Sequence, residues 1–412
     1  MINRRFLYLL GIISCFIGGV YTIRVFGLFE LFPLRVILIL ASPFLIFSPF
    51  KGRKKLWQFA KILLFIMLIY GTTSLIWSPD PILGLGHIHF TFVGLMIFFL
   101  VSRYAINISF LKKIMILWSI MSIITCLLGF YEMFNGEYLF SHVTDGGAVN
   151  KESEQILNIG WLPPRVFLPN PNEYAFFNSI SALLLMGWAF QTQRIYKVLA
   201  IIATILSILL IINSFSRAAI SGFLIGVIFF IFILTIKSNI LFKVLIFIII
   251  SCSSVYIIYN ANKIIGNNLA LTALTYKIEN DPNELRSKFY TTAIFQGTIG
   301  TLGFGRGLGA STAIIDGSSY HHYLLEILAE LGLWILLAYL TLIIKICIQL
   351  WRSIQQGNNV FWSSGILASC IAFPLLCSGP ASLTYLYPHW LWLAFIIVYT
   401  DMNTGVKTVS GT

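Results

Sequence analysis

The stretch LFKVLIFIIISCSSVYIIY (241–259) is apolar almost without interruption, with Lys243 near its start as the one charge. A β-strand crossing lipid would need only about ten residues of alternating polarity, and nothing here alternates. A helix crossing the hydrocarbon layer needs about 20 apolar residues. Lipid offers unpaired backbone amides no partners, so a run of this kind reads as a spanning helix.

Comparable runs fall at about 6–23, 28–49, 57–77, 84–102, 111–131, 173–190, 195–213, 217–236, 321–350, 360–378 and 384–400. With 239–259 they predict an all-α, polytopic membrane protein of about twelve spans, folded as one domain over 1–412. The composition agrees: 58% of the 412 residues are apolar and 10% are charged, against about 25% charged in soluble domains. A water-exposed surface cannot be built from so few charges, so a soluble enzyme and a disordered chain are both excluded. The N-terminal run MINRRFLYLLGIISCFIGGV has a basic head but no small-residue cleavage site, and an uncleaved first helix is expected. The cysteines at 15, 126, 252, 347, 370 and 377 sit in apolar runs without CxxC or metal-ligand spacing, and read as buried thiols.

The formal net charge of +12 raises the question of nucleic acid. If Arg4 and Arg5 are cytoplasmic, then KGRKK (51–55), Arg103, Lys112, Lys113, Arg194, Lys197, Lys237, Lys243, Lys345 and Arg352 all fall on that same side. That is the positive-inside pattern. It places both termini inside and accounts for most of the charge without a nucleic-acid partner. Alternation then puts the two long connections, about 132–172 and 260–320, on the outer face.

Cations left on the outer side need another explanation. Arg217 stands in NSFSRAAISG between two apolar runs, where it either snorkels to headgroups or meets an anionic ligand beside Asn213, Ser214 and Ser216. Arg286 follows the capping pattern Asp281, Pro282, Glu284. The helix started there is too short and polar to span, with Leu285, Phe289 and Ala293 as an apolar side for the membrane surface. GTIGTLGFGRGLGAS (297–311) carries Arg306 in a glycine-dense loop that reads as a weak phosphate cradle or a hinge. In WLPPRVFLPNPNEYAFF (161–177), Asn172 is the expected cap of the next span, and Arg165 either lines the cavity or packs the loop. Glu30 and Asp80 are outer acids, and Asp80 in WSPDP reads as a turn residue.

The sharpest cluster is SSYHHYLLEILAELGLW (318–334). His322, Glu326 and Glu330 recur every four residues on one helical face. Carboxylates inside an apolar helix are expensive and usually functional, although Glu326 would equally satisfy a hydroxyl or arginine on a neighbouring helix. Histidine moves protons near neutral pH. Arginine's planar fork holds phosphate oxygens bidentately, so arginines plus a histidine at an outer membrane face suit cleavage of a diphosphate-linked sugar.

With these features, SFSRAAISG, ELRSKFYTTA, LGFGRGLG and HHYLLEILAELG together resemble the O-antigen ligase and polymerase superfamily. The last stretch is similar to the family's His-Asn-x-x-x-Glu-x-x-x-Glu-x-Gly pattern, with His322 where Asn is usual. The resemblance implies His321 as the catalytic histidine and Arg217 and Arg286 as diphosphate-contacting arginines; His322, Arg306, Glu326 and Arg165 are the substrate-binding candidates read from the residues themselves. Helical spacing alone favours His322, so both histidines stay open. The resemblance also implies metal-independent, inverting transfer of a glycan from undecaprenyl diphosphate to a saccharide acceptor at the outer face of the bacterial inner membrane, with no cofactor. A transporter or flippase for such a lipid-linked saccharide is the alternative. It would place ionisable groups near the midplane with interrupted helices or inverted repeats, and no repeat is visible.

Overall fold

The computed structural model describes residues 4–17, 23–25, 29–47, 53–140, 162–235, 283–311 and 320–403. Within them the helices are α1 (Arg4–Ile17), α2 (Pro33–Phe47), α3 (Lys55–Ser74), α4 (Pro81–Tyr104), α5 (Ile108–Asn135), α6 (Pro171–Gln191), α7 (Arg194–Asn213), α8 (Arg217–Thr235), α9 (Asn283–Gly297), α10 (Tyr323–Gln355), α11 (Val360–Leu376) and α12 (Tyr387–Asn403). Six of them, α3, α4, α5, α7, α8 and α10, are long and apolar enough to cross a membrane. The architecture is that of a polytopic helical membrane protein. The run 239–259, Asp281 and Pro282 lie outside the described residues.

Two three-residue strands depart from the all-α expectation. β1 (Ile23–Val25) pairs antiparallel with β2 (Phe29–Leu31), setting Arg24 opposite Glu30. The hairpin occupies the place where the first two apolar runs nearly meet, so both flanking helices are shorter than those runs.

α12 is buried along almost its whole length, from Tyr387 to Asn403. A helix apolar on every side belongs inside a bundle. Small residues let its neighbours approach, as expected where lipid removes the hydrophobic drive between helices. A Cβ on Gly187 of α6 would lie 2.8 Å from the Cα of Gly365 in α11, and one on Gly94 would lie 2.4 Å from the Trp390 ring.

Arg4, Arg53 and Arg103 gather at one end of this bundle. Arg4 sits over Phe44 at the end of α2, and Arg103 donates to the Leu45 carbonyl at 3.3 Å. Arg53 donates to the carbonyls of Ser102 and Ala105 at the end of α4. Asp401, near the end of α12, accepts from the amides of Lys54 at 3.0 Å and Trp57 at 3.2 Å, supplying the cap that α3 lacks from its own chain. The side chains of Gln191 and Asn359, 3.3 Å apart, and of Asn359 and Asn403, 3.1 Å apart, bring the end of α6 and the start of α11 to the same end.

Candidate functional site

The sequence candidates lie at the other end, where α6, α8 and α10 begin and α11 finishes. The chain leaves α11 in a turn that touches three helix starts. The Tyr323 amide donates to the Cys377 carbonyl at 3.0 Å, and His322 Nδ1 lies 3.9 Å from Cys377 Sγ. Two residues on, a Cβ at Gly379 would lie 3.1 Å from Ala218 Cβ, 3.4 Å from Ser216 Oγ and 3.8 Å from Asn172 Cβ. One turn thus brings the histidine pair into the neighbourhood of Arg217, which opens α8 with an exposed side chain.

His321 has φ +48° and is half-buried. A residue other than glycine in this left-handed region stores strain, and such strain clusters at functional sites. His322 is the N-terminal flank of α10 with extended backbone and makes no capping bond with its side chain. Its ring meets Tyr290 of α9 edge-on at 5.9 Å between centroids. Burial holds its imidazole below the ordinary value of 6.5. α9 packs on the first part of α10 through Ala293 and Phe289, against Tyr320, Leu325 and Ala329, while Ile294 and Phe295 stay exposed. Position 286 falls on α9 one turn before Tyr290, and its side chain lies outside the described residues.

The glycine-dense segment has a definite structural role. Inside α10, Gly332 takes φ +86° and ψ 175°, breaking the helix. The break frees carbonyls and amides that need partners, and the 303–307 segment supplies them. The amides of Arg306 and Gly307 donate to the carbonyls of Ala329 at 2.8 Å and Glu330 at 3.0 Å, and Leu333 donates to the Gly303 carbonyl at 2.9 Å. A Cβ on Gly305 would lie 2.6 Å from the Glu330 carbonyl oxygen, so only glycine fits this approach. The segment also anchors to the end of α3, where the Leu308 amide donates to Ser74 Oγ at 3.1 Å and Ser78 Oγ donates to the Leu308 carbonyl at 2.6 Å. It is a close-packed clamp, unlike the hinge or phosphate cradle expected from glycine content. Arg306 is exposed and donates through Nε to Gln296.

Below the histidines, both α10 carboxylates are buried. Glu326 Oε1 accepts from Ser382 Oγ at 2.7 Å and Thr384 Oγ1 at 3.2 Å. Glu330 Oε1 accepts from the amide and hydroxyl of Ser311 at 3.1 and 2.6 Å, and its Oε2 lies 3.2 Å from His87 Nδ1 on α4. Glu326 therefore ties α10 to the α11–α12 connection, and Glu330 ties it to the clamp. His87 is absent from the sequence candidates. The available signal was an ionisable residue within an apolar span.

The connection from α5 to α6 is organised by a glutamate that sequence reading passed over. Glu132, fully buried near the end of α5, accepts from the amides of Leu139 at 3.1 Å and of Arg165 and Val166 at 3.0 Å each. Arg165 lays its guanidinium 3.8 Å from the centroid of the Tyr138 ring. The cap of α6 is Asn170, which accepts from the Glu173 amide at 3.1 Å with Pro171 following, so the helix starts two residues earlier than Asn172 would place it. Glu173 accepts from the Tyr385 hydroxyl at 2.5 Å, a second tie to the α11–α12 connection. Asp80 caps α4 by accepting from the Leu83 amide at 2.9 Å.

The fold and this end of the bundle define a polytopic helical membrane protein with a polar cluster held at the end opposite Arg53. The chain is 24% identical over 416 residues to the teichuronic acid biosynthesis protein TuaE of Bacillus subtilis (strain 168), covering 95% of this chain and 83% of that protein. No protein-family model matches the chain.

Proposed function

We propose that the protein is a membrane glycosyltransferase of the O-antigen ligase and polymerase type, acting in surface polysaccharide synthesis. It transfers a glycan from undecaprenyl diphosphate to a saccharide acceptor at the outer face of the bacterial inner membrane. The observation that carries this reading is the convergence of Arg217, the His321–His322 pair and α9 around the turn after α11. The similarity to a teichuronic acid biosynthesis protein over nearly the whole chain supports the substrate class.

In this reading Arg217 and Arg286 grip the diphosphate through paired N–H donors and offset the charge that develops as the sugar C1–O bond to phosphate breaks. The electron pair of that bond leaves with undecaprenyl diphosphate. His321 takes the proton of the acceptor hydroxyl as its oxygen bonds to C1 from the opposite face, inverting the anomeric centre. His322 and Arg306 contact the sugars, and Arg165 and Glu326 hold the loops that wall the cavity. The cationic end faces the cytoplasm with both termini, under the positive-inside bias. No nucleic acid takes part.

The interrupted helix at Gly332 is the feature that a transporter reading would claim. Among the described residues, the cavity beside that break holds about 20 Å³, room for one water and far too little for a saccharide. Incubating the purified protein with a lipid-linked glycan and an acceptor tests the proposal by mass spectrometry and NMR of the product. A new glycosidic bond of inverted configuration is expected; movement of intact donor across a vesicle membrane without bond formation would establish the transporter.

A further inference from the structure

We propose that His87, Glu326 and Glu330 bind one divalent transition-metal ion, such as Zn²⁺ or Mn²⁺, buried beneath the histidine pair. One ligand atom from each of the three residues falls within 4.8 Å of the others. His87 Nδ1 and Glu330 Oε2 are hydrogen-bonded at 3.2 Å, and an ion about 2.1 Å from each would take the place of the shared proton.

The carboxylates are dressed as metal ligands are. On each, Oε1 accepts from fixed donors: Ser382 and Thr384 hydroxyls on Glu326, the Ser311 hydroxyl and amide on Glu330. Such outer contacts fix one oxygen and aim the other inward. The inward oxygen of Glu330 meets His87. Glu326 Oε2 is fully buried and has no hydrogen-bond partner among the described residues, in a residue only 5% exposed. A buried carboxylate oxygen left without a partner is costly, and a cation at the centre of the three residues removes that cost.

Charge and space agree with an ion. Two carboxylates and a neutral imidazole around a divalent cation sum to zero, which suits an apolar surrounding lined by Met67, Ile327 and Leu331. The adjoining cavity of about 20 Å³ admits one water, enough for a fourth ligand. The imidazole favours Zn²⁺ over Ca²⁺ or Mg²⁺, and the two carboxylates suit Mn²⁺. The ion would pin α4 to the first part of α10 just before its break at Gly332, holding from below the helix that presents the histidines. It does not touch the donor, so transfer proceeds without metal chemistry.

The test is elemental analysis of the full chain purified in detergent without added metal or chelator. About one Zn or Mn per chain is expected, lost from His87→Ala and Glu326→Gln. After stripping with a chelator, added CoCl₂ should give visible d–d absorption, and ZnCl₂ should raise the melting temperature by several degrees. These wild-type readings stand whether or not the variants fold. Wild-type protein that carries no stoichiometric metal, takes up no Co²⁺ and melts alike with and without Zn²⁺ or Mn²⁺ would overturn the site, leaving the carboxylates to share a proton instead. Metal retained at full occupancy in both variants would place the ion elsewhere and overturn it equally.

Discussion

The Tyr323 amide and the Cys377 carbonyl, 3.0 Å apart, join the start of the helix that carries the histidines to the turn that reaches Ser216 and Arg217. Through this one bond, residues more than a hundred positions apart in sequence share a wall. The exposed arginine opening α8 and the strained histidine opening α10 are therefore expected to fail in different ways when changed.

His321→Ala should lower transfer by about 10²- to 10⁴-fold, the usual contribution of a positioned base, while donor binding is kept. His322→Ala should weaken the packing against Tyr290 and lower transfer less. Steady-state rates of the two variants, read beside donor affinity, check the order.

Stability should depend on pH through His322. Its imidazole is held below its ordinary value in the folded protein by burial, so the unfolded chain binds the proton first as pH falls. The contribution is fully present above the unfolded value of about 6.5 and declines as pH drops through it towards the lower folded value. Melting temperatures between about pH 5 and 8 should fall on the acid side for wild type and less steeply for His322→Asn.

Glu132→Ala strips three amides of their common acceptor and should destabilise the protein by about 3 kcal/mol or more. Glu132→Gln keeps one carbonyl oxygen but turns an N–H₂ against an amide N–H, and should fall between. Thermal melts in detergent provide the comparison.

Gly332→Ala should be among the most damaging single changes in the chain. The new Cβ would lie 2.2 Å from the Gly303 carbonyl oxygen, and the backbone at φ +86° and ψ 175°, a region essentially reserved for glycine, adds roughly 1–3 kcal/mol of strain. Loss of monodisperse protein on gel filtration is the expected result. Gly136→Ala is a useful contrast, because Gly136 shares the positive φ but has open space around it.

Helices were legible in the sequence because the requirement for about 20 apolar residues is blunt and local. Most of the described helices overlap the apolar runs, and Arg4, Arg53 and Arg103, predicted to share a side, share an end. The short hairpin at 23–31 was hidden, since its residues continue the apolar pattern on either side. The candidate site was partly legible. Arg217 and the histidines stood out against their neighbours, but His87 lies 243 positions from the carboxylate it meets, and only the fold brings them together. The glycine-dense clamp was misread because glycine content signals backbone freedom without showing what the backbone packs against. The choice of Asn170 over Asn172 turned on Pro171 standing at the first helical position.

The account rests on Arg217, Arg286 and His321 serving one diphosphate-linked donor. Single-turnover transfer of a lipid-linked glycan, measured with Arg217→Ala, Arg286→Ala and His321→Ala beside wild type, tests this most directly. Weakened donor binding with lost transfer in both arginine variants, and lost transfer with normal donor binding in the histidine variant, is the predicted pattern. Transfer at the wild-type rate by all three folded variants would contradict it.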